Sequence, residues 1–274
     1  NNGASILSDV AAAIADKLAK EGIAKDEVQG IGIGVPGPVR GDGTVNRCVN
    51  LGWDVFNVAD SLTDKTGIPV KAGNDANVAA LGEMWQGGGK GHKDVVMVTL
   101  GTGVGGGIIV DGKMISGAAG AGGEIGHITV CDDETETCGC GKHGCLEQYA
   151  SATGIVRLAN RRLKASEAPS ALRNFKEVTA KDVFDEAKAG DALAVEIVEE
   201  VGAILGKALA NICCVVDPEI IVIGGGVSKA GQILIDVVQK NFAVHAFHAC
   251  KNTEFALATL GNDAGMYGCM NLIL

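Results

Sequence analysis

Two hundred and seventy-four residues exceed what one hydrophobic core usually organises, so two lobes are expected. At 47% hydrophobic and 20% charged the chain is neither fibrous nor disordered, and its net charge of 23 − 33 = −10 argues against nucleic acid or anionic membrane as a partner. No apolar run approaches the ~20 residues of a membrane span, and no basic segment followed by an apolar one marks secretion, so a cytoplasmic protein is expected.

In chain order, Ile6, Val10, Ile14 and Leu18 recur four apart and predict a helix over 5–20. A strand over 28–35 ends in the rigid turn Gly34-Val35-Pro36-Gly37-Pro38, and a helix over 57–66 precedes a short strand over 68–72. Residues 75–86 read as a helix that Asp75 can cap and Gly87-Gly88-Gly89 stops. Strands follow over 94–100 and 104–110, then the hairpin signal Asp111-Gly112 and a third short strand over 113–115. A strand over 128–130 leads into an acidic, cysteine-bearing loop over 131–145, beyond which the pattern is mainly helical. Thr179 with Asp182 resembles a capping box, and a long helix over 191–216 stops at Asp217-Pro218. A buried strand over 220–223, a helix over 229–241, a strand over 254–259 and a short C-terminal helix complete an α/β pattern.

Gly32-x-Gly34-x-x-Gly37 and Gly101-x-Gly103-x-x-Gly106 both match the dinucleotide fingerprint, but neither opens a helix after a strand, and the common GxxxxGK[ST] phosphate loop is absent. The turn around Gly101-Thr102-Gly103 reads as either a tight hairpin or a nest of backbone N–H groups for phosphate, with Thr102 adding a hydroxyl. Asp75, where a strand hands over to a helix, reads as either an N-cap or a carboxylate that accepts a hydroxyl proton in a cleft. His127 with Cys138, Cys140 and Cys145 makes a Cys₃His set, the closed structural zinc type. Glu124 and Glu147 flank this cluster and, with Asn74 and Asp75, would suit a polyhydroxylated ligand. The acidic run Asp132, Asp133, Glu134, Glu136 and the basic stretch 157–164 read as solvated faces. Cys48, Cys131, Cys213, Cys214, Cys250 and Cys269 read as small buried hydrophobes of a protein from a reducing compartment.

Taken together, these motifs resemble the ROK family of sugar kinases and sugar-responsive repressors, with wording nearest to bacterial zinc-containing glucokinases. The carriers are Gly34-Val35-Pro36-Gly37-Pro38, Asn50-Leu51-Gly52-Trp53, Asn74-Asp75-Ala76-Asn77, the run from Leu100 to Gly107, Gly122-Gly123-Glu124-Ile125-Gly126-His127, the run from Cys138 to Glu147, and Gly224-Gly225-Gly226-Val227. The resemblance implies a two-lobed ribonuclease-H-like fold of the actin/hexokinase type. The small lobe would span 1–92, with the C-terminal helix 260–274 as a candidate to return to it, and the large lobe 93–259 would carry the zinc loop 127–145. The implied activity is ATP-dependent phosphorylation of a hexose, glucose to glucose 6-phosphate first among candidates. The alternatives are a kinase for another sugar such as N-acetylmannosamine and a non-catalytic sugar-sensing regulator. The same resemblance implies Asp75 as general base and Gly37, Asn50, Asn74, Glu124, His127 and Glu147 as sugar contacts. It gives Thr102 and Gly103 to ATP phosphates, Gly225 to the adenosine, and His127, Cys138, Cys140 and Cys145 to structural Zn²⁺, with Mg²⁺ accompanying ATP. A homodimer or higher homo-oligomer is implied as well. The family opens with strands carrying an Asp-x-Gly-Gly-Thr motif that this sequence lacks, so the chain is expected to be a piece of a longer protein, its small lobe incomplete at the N-terminus.

Overall fold

The computed structural model describes residues 3–48 and 51–274. Helix α1 (Ile6–Glu21) ends at Gly22 in the left-handed region, φ 67°. Strand β1 (Ile31–Val35) pairs in parallel with β4 (Val70–Asn74), matching the two strands expected for the first sheet. Between them lies an antiparallel hairpin, β2 (Thr44–Cys48) with β3 (Trp53–Asn57), followed by α2 (Val58–Thr66). The sequence pattern does not announce this hairpin, because Asn46, Arg47 and Asp54 interrupt its apolar alternation. It is held instead by tertiary packing: Val45, Cys48 and Trp53 are buried with Leu7 of α1 and Val58 of α2 in one cluster.

Helix α3 (Asp75–Gln86) then crosses to a five-stranded sheet made of β5 (Val95–Leu100), β6 (Val104–Val110), β7 (Lys113–Met114), β8 (Ile220–Gly224) and β9 (Glu254–Leu257), in the order β7-β6-β5-β8-β9. Strands β5–β7 form an antiparallel meander, while β5, β8 and β9 run parallel. The central strands β5 and β8 are apolar at every position but Thr99, because both faces are covered. Val96, Val98, Leu100, Ile221 and Ile223 face a core built with α5 (Ala152–Ala165), α6 (Ala180–Lys188), α7 (Ala192–Val216) and α8 (Gln232–His245). Val95, Met97, Ile220 and Val222 face Ala80 and Leu81 of α3. Truncating one such fully buried leucine costs about 3 kcal/mol.

The C-terminal helix α9 (Ala264–Asn271) packs on α3 and β1. Glycine permits this approach: a Cβ on Gly268 would stand 1.6 Å from the Val78 carbonyl oxygen, and one on Gly82 would stand 2.0 Å from that of Ala264.

Three local expectations are corrected. Residues 128–130 form no strand but a single bridge, Thr129 to Cys145, because the Val130 and Cys131 amides both turn to the Gly144 carbonyl. The helix expected from 229 begins at Gln232, after a 3-10 turn over Gly226–Ala230. Asp75 is not the cap of α3: the Asn74 side chain accepts from the Ala76 and Asn77 amides, and Asp75 is the first helical residue.

Candidate active site and metal centre

The carboxyl ends of β1, β4, β5 and β8 open onto one cleft of about 1010 Å³, the place where open α/β sheets present ligand sites. Gly37, Asn74, Asp75, Thr102, Gly103, Glu124, His127, Cys140, Glu147 and Gly225 all line it. Cys138 and Cys145 are buried behind its wall, and Asn50 lies outside the described residues.

Asn74 is 8% exposed and fully committed. Its Oδ1 accepts from Ala76 N at 3.0 Å and Asn77 N at 3.1 Å, and its Nδ2 donates to Gly37 O at 3.1 Å and Asp75 Oδ1 at 3.1 Å. Asp75 Oδ1 also accepts from Ala76 N at 2.9 Å, while Oδ2 has no partner among the described residues. One carboxylate oxygen is therefore held and the other is left to the cleft. Asn77 Nδ2 donates to Gly122 O at 3.0 Å, tying the start of α3 to the turn that precedes Glu124.

The β5–β6 turn is tight, with Gly101 N donating to Gly103 O at 3.0 Å. It is pinned to the start of α5 by Ala152 N on Gly101 O at 2.8 Å and Thr153 Oγ1 on Thr102 O at 2.7 Å. The amides of Thr102 and Gly103 and the Thr102 hydroxyl have no partner among the described residues, as an anion nest requires. Glu147, opening α4 (Glu147–Ala150), accepts from Val104 N at 3.1 Å. It comes so close that a Cβ on Gly103 would stand 2.1 Å from its Oε2. Arg47, which sequence reasoning did not single out, is the one Arg or Lys lining the cleft among the described residues and holds φ at 75°.

The donor atoms of His127, Cys138, Cys140 and Cys145 lie within 4.8 Å of one another. Cys138 Sγ is 3.8 Å from His127 Nδ1, and Cys140 Sγ is 3.6 Å from Cys145 Sγ. Bonds of about 2–2.3 Å to a tetrahedral ion give ligand spacings of this size, so the set fits zinc. Burial holds the Cys138 thiol above its ordinary value and pushes the Cys145 thiol up to about 12, a penalty on the thiolates that a divalent cation offsets. With Nδ1 turned to the sulfurs, His127 Nε2 lies 4.0 Å from Glu124 Oε2 on the cleft side.

The acidic run and the basic stretch are not simply solvated faces. Glu134 is 7% exposed and accepts from Tyr149 Oη at 2.6 Å and from both terminal nitrogens of Arg161 at 3.0 and 2.9 Å, while Arg157 and Arg161 also bind Glu136. The Arg161 guanidinium holds the Glu134 carboxyl well below the usual carboxylate range, against the opposing effect of burial. Gln148 joins this anchor to the metal loop, donating to Glu136 O at 2.9 Å and accepting from Cys145 N at 3.1 Å. These long-range pairs have no sequence signal beyond opposite charge.

Known proteins share both the sequence and this architecture. The glucokinase of Halalkalibacterium halodurans is 46% identical over 273 residues, covering 98% of this chain and 83% of that one. A ROK family glucokinase from Streptomyces griseus, solved with glucose and AMPPNP, is 35% identical with a TM-score of 0.75, covering 97% of this chain and 87% of that one. A ROK family transcriptional regulator, a homologue of the E. coli MLC protein, is 27% identical with a TM-score of 0.84, covering 98% and 68%. With the ROK family model matching residues 4–274 and the cleft and cysteine cluster assembled as the motifs imply, the chain belongs to the ROK family.

Proposed function

We propose that the chain transfers the γ-phosphoryl group of ATP to a hexose, most simply to the 6-hydroxyl of glucose, between lobes made of 1–92 with 260–274 and of 93–259. The observation that carries this reading is the uncommitted Oδ2 of Asp75 in the same cleft as the uncommitted amides of Thr102 and Gly103. A carboxylate with one oxygen fixed and one free can take the proton of a hydroxyl as its oxygen attacks phosphorus, while backbone N–H groups steady the phosphates. Relatives named glucokinase, and the glucose and AMPPNP of the Streptomyces griseus structure, support the choice of substrates.

Within this reading Asp75 is the general base and Asn74 holds it in place. Glu124, His127 and Glu147 receive the other sugar hydroxyls, and Gly37 and Asn50 complete the sugar site. Thr102 and Gly103 hold phosphate, and Gly225 lies by the adenosine. When bound, Mg²⁺ neutralises the charge of the transferring group. Zinc on His127, Cys138, Cys140 and Cys145 keeps the loop closed and fixes the His127 ring without touching the reacting atoms. The proposal includes a cytoplasmic setting, supported by nine cysteines none of which is in a disulfide among the described residues, and by the absence, among the same residues, of a helix long and apolar enough to cross a membrane. It also includes a homodimer or higher homo-oligomer, supported by the exposed Val215, Val244 and Phe247 at the C-terminal ends of α7 and α8.

A purely sugar-sensing role is the second reading, favoured by the fold it shares with the ROK regulator. It leaves the free Asp75 oxygen and the uncommitted turn amides without a task. Phosphorus and carbon NMR of a mixture of the chain, glucose and Mg-ATP separates the two: glucose 6-phosphate and ADP are expected, and an unchanged mixture refutes the kinase reading.

A further inference from the structure

Two segments carry the chain between the α3–α9 side and the five-stranded sheet. Residues 87–94 lead from α3 into β5, and residues 258–263 lead from β9 into α9. Both are gathered by one side chain. Glu83, in the last turn of α3, is 0% exposed, the most buried carboxylate among the described residues. Its Oε2 accepts from Gly88 N at 2.8 Å in the first segment and from Thr259 N at 3.0 Å in the second. Its Oε1 accepts from Leu260 N at 2.8 Å. Its own carbonyl takes the Gly87 and Gly89 amides, each at 3.0 Å. No Lys, Arg or His within ion-pair distance accompanies it among the described residues.

A carboxylate buried without a cation is costly unless its oxygens are fully hydrogen-bonded. Here that requirement is met solely by backbone N–H groups of the two connecting segments, so their relative placement is set by Glu83. The first segment also meets the end of β9, from which the second segment leaves: a Cβ on Gly88 would stand 2.3 Å from the Leu257 carbonyl oxygen. Nothing else in the cleft chemistry uses Glu83, which does not line the cleft.

We propose that Glu83 is a positioning residue that locks the two crossovers together, so that the lobes approach as one unit and bring Asp75 to the Thr102–Gly103 turn in register. Asp75 lies at the N-terminal end of the same helix whose C-terminal end Glu83 fixes, and the turn lies on the β5–β6 hairpin that the first crossover feeds. The pivot is the pair of crossovers, and Glu83 sets where it closes. This assignment rests on the kinase reading for its main readout.

The test is Glu83→Gln in the full chain. Glutamine keeps the shape, but in either amide orientation its –NH₂ faces at least one backbone N–H. The expected result is kcat lowered tenfold or more, with KM for glucose and for ATP each within threefold, since the substrate contacts stay in place, which on the transition-state relation is a loss of about 1.4 kcal/mol or more. Amide hydrogen exchange at Gly88, Thr259 and Leu260 should accelerate in the same variant. Leu209→Ala, a fully buried change in the other core, serves as the control: a similar fall in Tm with kcat unchanged is expected. If Glu83→Gln does not fold, Gly88→Ala wedges the crossovers apart and should give the same kcat-selective loss. An unaltered kcat, or a loss that Leu209→Ala reproduces at equal Tm, overturns the proposal. A wild-type chain with no turnover refutes the kinase reading instead. The clamp is then read by calorimetry as the factor by which glucose tightens AMPPNP binding: reduction toward one in Glu83→Gln supports it, and an unchanged factor overturns it.

Discussion

Replacing Asp75 by asparagine isolates proton abstraction from everything else at the start of α3. One carboxylate oxygen is already occupied by Ala76 N at 2.9 Å and Asn74 Nδ2 at 3.1 Å, and the amide oxygen of asparagine can take over both bonds. Asn74, not residue 75, caps the helix, so the helix start and the Asn74–Gly37 contact at 3.1 Å survive. The change is confined to Oδ2, where an acceptor becomes a donor. A positioned general base contributes about 10²- to 10⁴-fold, so kcat should fall by that factor, or about 3–5 kcal/mol in activation free energy. Glucose affinity by calorimetry should stay within about tenfold, because binding and base are separate roles. A kcat within tenfold of wild type, or a loss of affinity that accounts for the whole change in kcat/KM, would refute the assignment.

Gly103→Ala would press a Cβ to 2.1 Å from Glu147 Oε2 and force that carboxylate off Val104 N, so kcat/KM for both sugar and nucleotide should drop by about tenfold or more; unchanged kinetics contradict the geometry. Metal analysis of the unaltered chain should return one zinc per chain, and Cys140→Ser should lose it together with several degrees of Tm, whereas a metal-free wild type ends that claim. Glu134→Gln should destabilise the fold by about 3 kcal/mol in urea titrations, since it leaves two arginines short of their buried partner. The Glu134 carboxyl titrates below its usual 4.5 in the folded chain, so its contribution is present above that pH and is lost only as pH falls through the lower folded value. The penalty of Glu134→Gln should therefore be the same at pH 7 and pH 5 and shrink in stronger acid; a penalty that vanishes by pH 5 contradicts the buried clamp.

Most of the fold was legible wherever apolar periodicity was strong. Strands β5 and β8 and helix α7 follow directly from runs that are buried on both faces or along a stripe. The β2–β3 hairpin was not legible, because its strands draw stability from Leu7 and Val58, far away in sequence, rather than from their own alternation. In the site, the Cys₃His set could be read from residue type and spacing, whereas the glycine turn and Asp75 each kept a second reading that only the family resemblance decided; the structure gathers all three at one cleft. The supporting bonds could not. Asn74 rather than Asp75 makes the cap because its amide can accept from two N–H groups and still donate to Gly37. Glu134 finds Arg161, 27 residues on, and Glu83 finds Leu260, 177 residues on, through tertiary placement alone.

The central claim is that the cleft carries out phosphoryl transfer to a sugar. The measurement that tests it most directly is ADP release from Mg-ATP by the wild-type chain in the presence of glucose, mannose, fructose or N-acetylmannosamine, each against a no-sugar control. Sugar-dependent turnover, fastest with glucose and lowered about 10²-fold or more in Asp75→Asn, is the predicted result. Tight glucose binding with no ADP released above the control would contradict it and leave a sugar-sensing protein in its place.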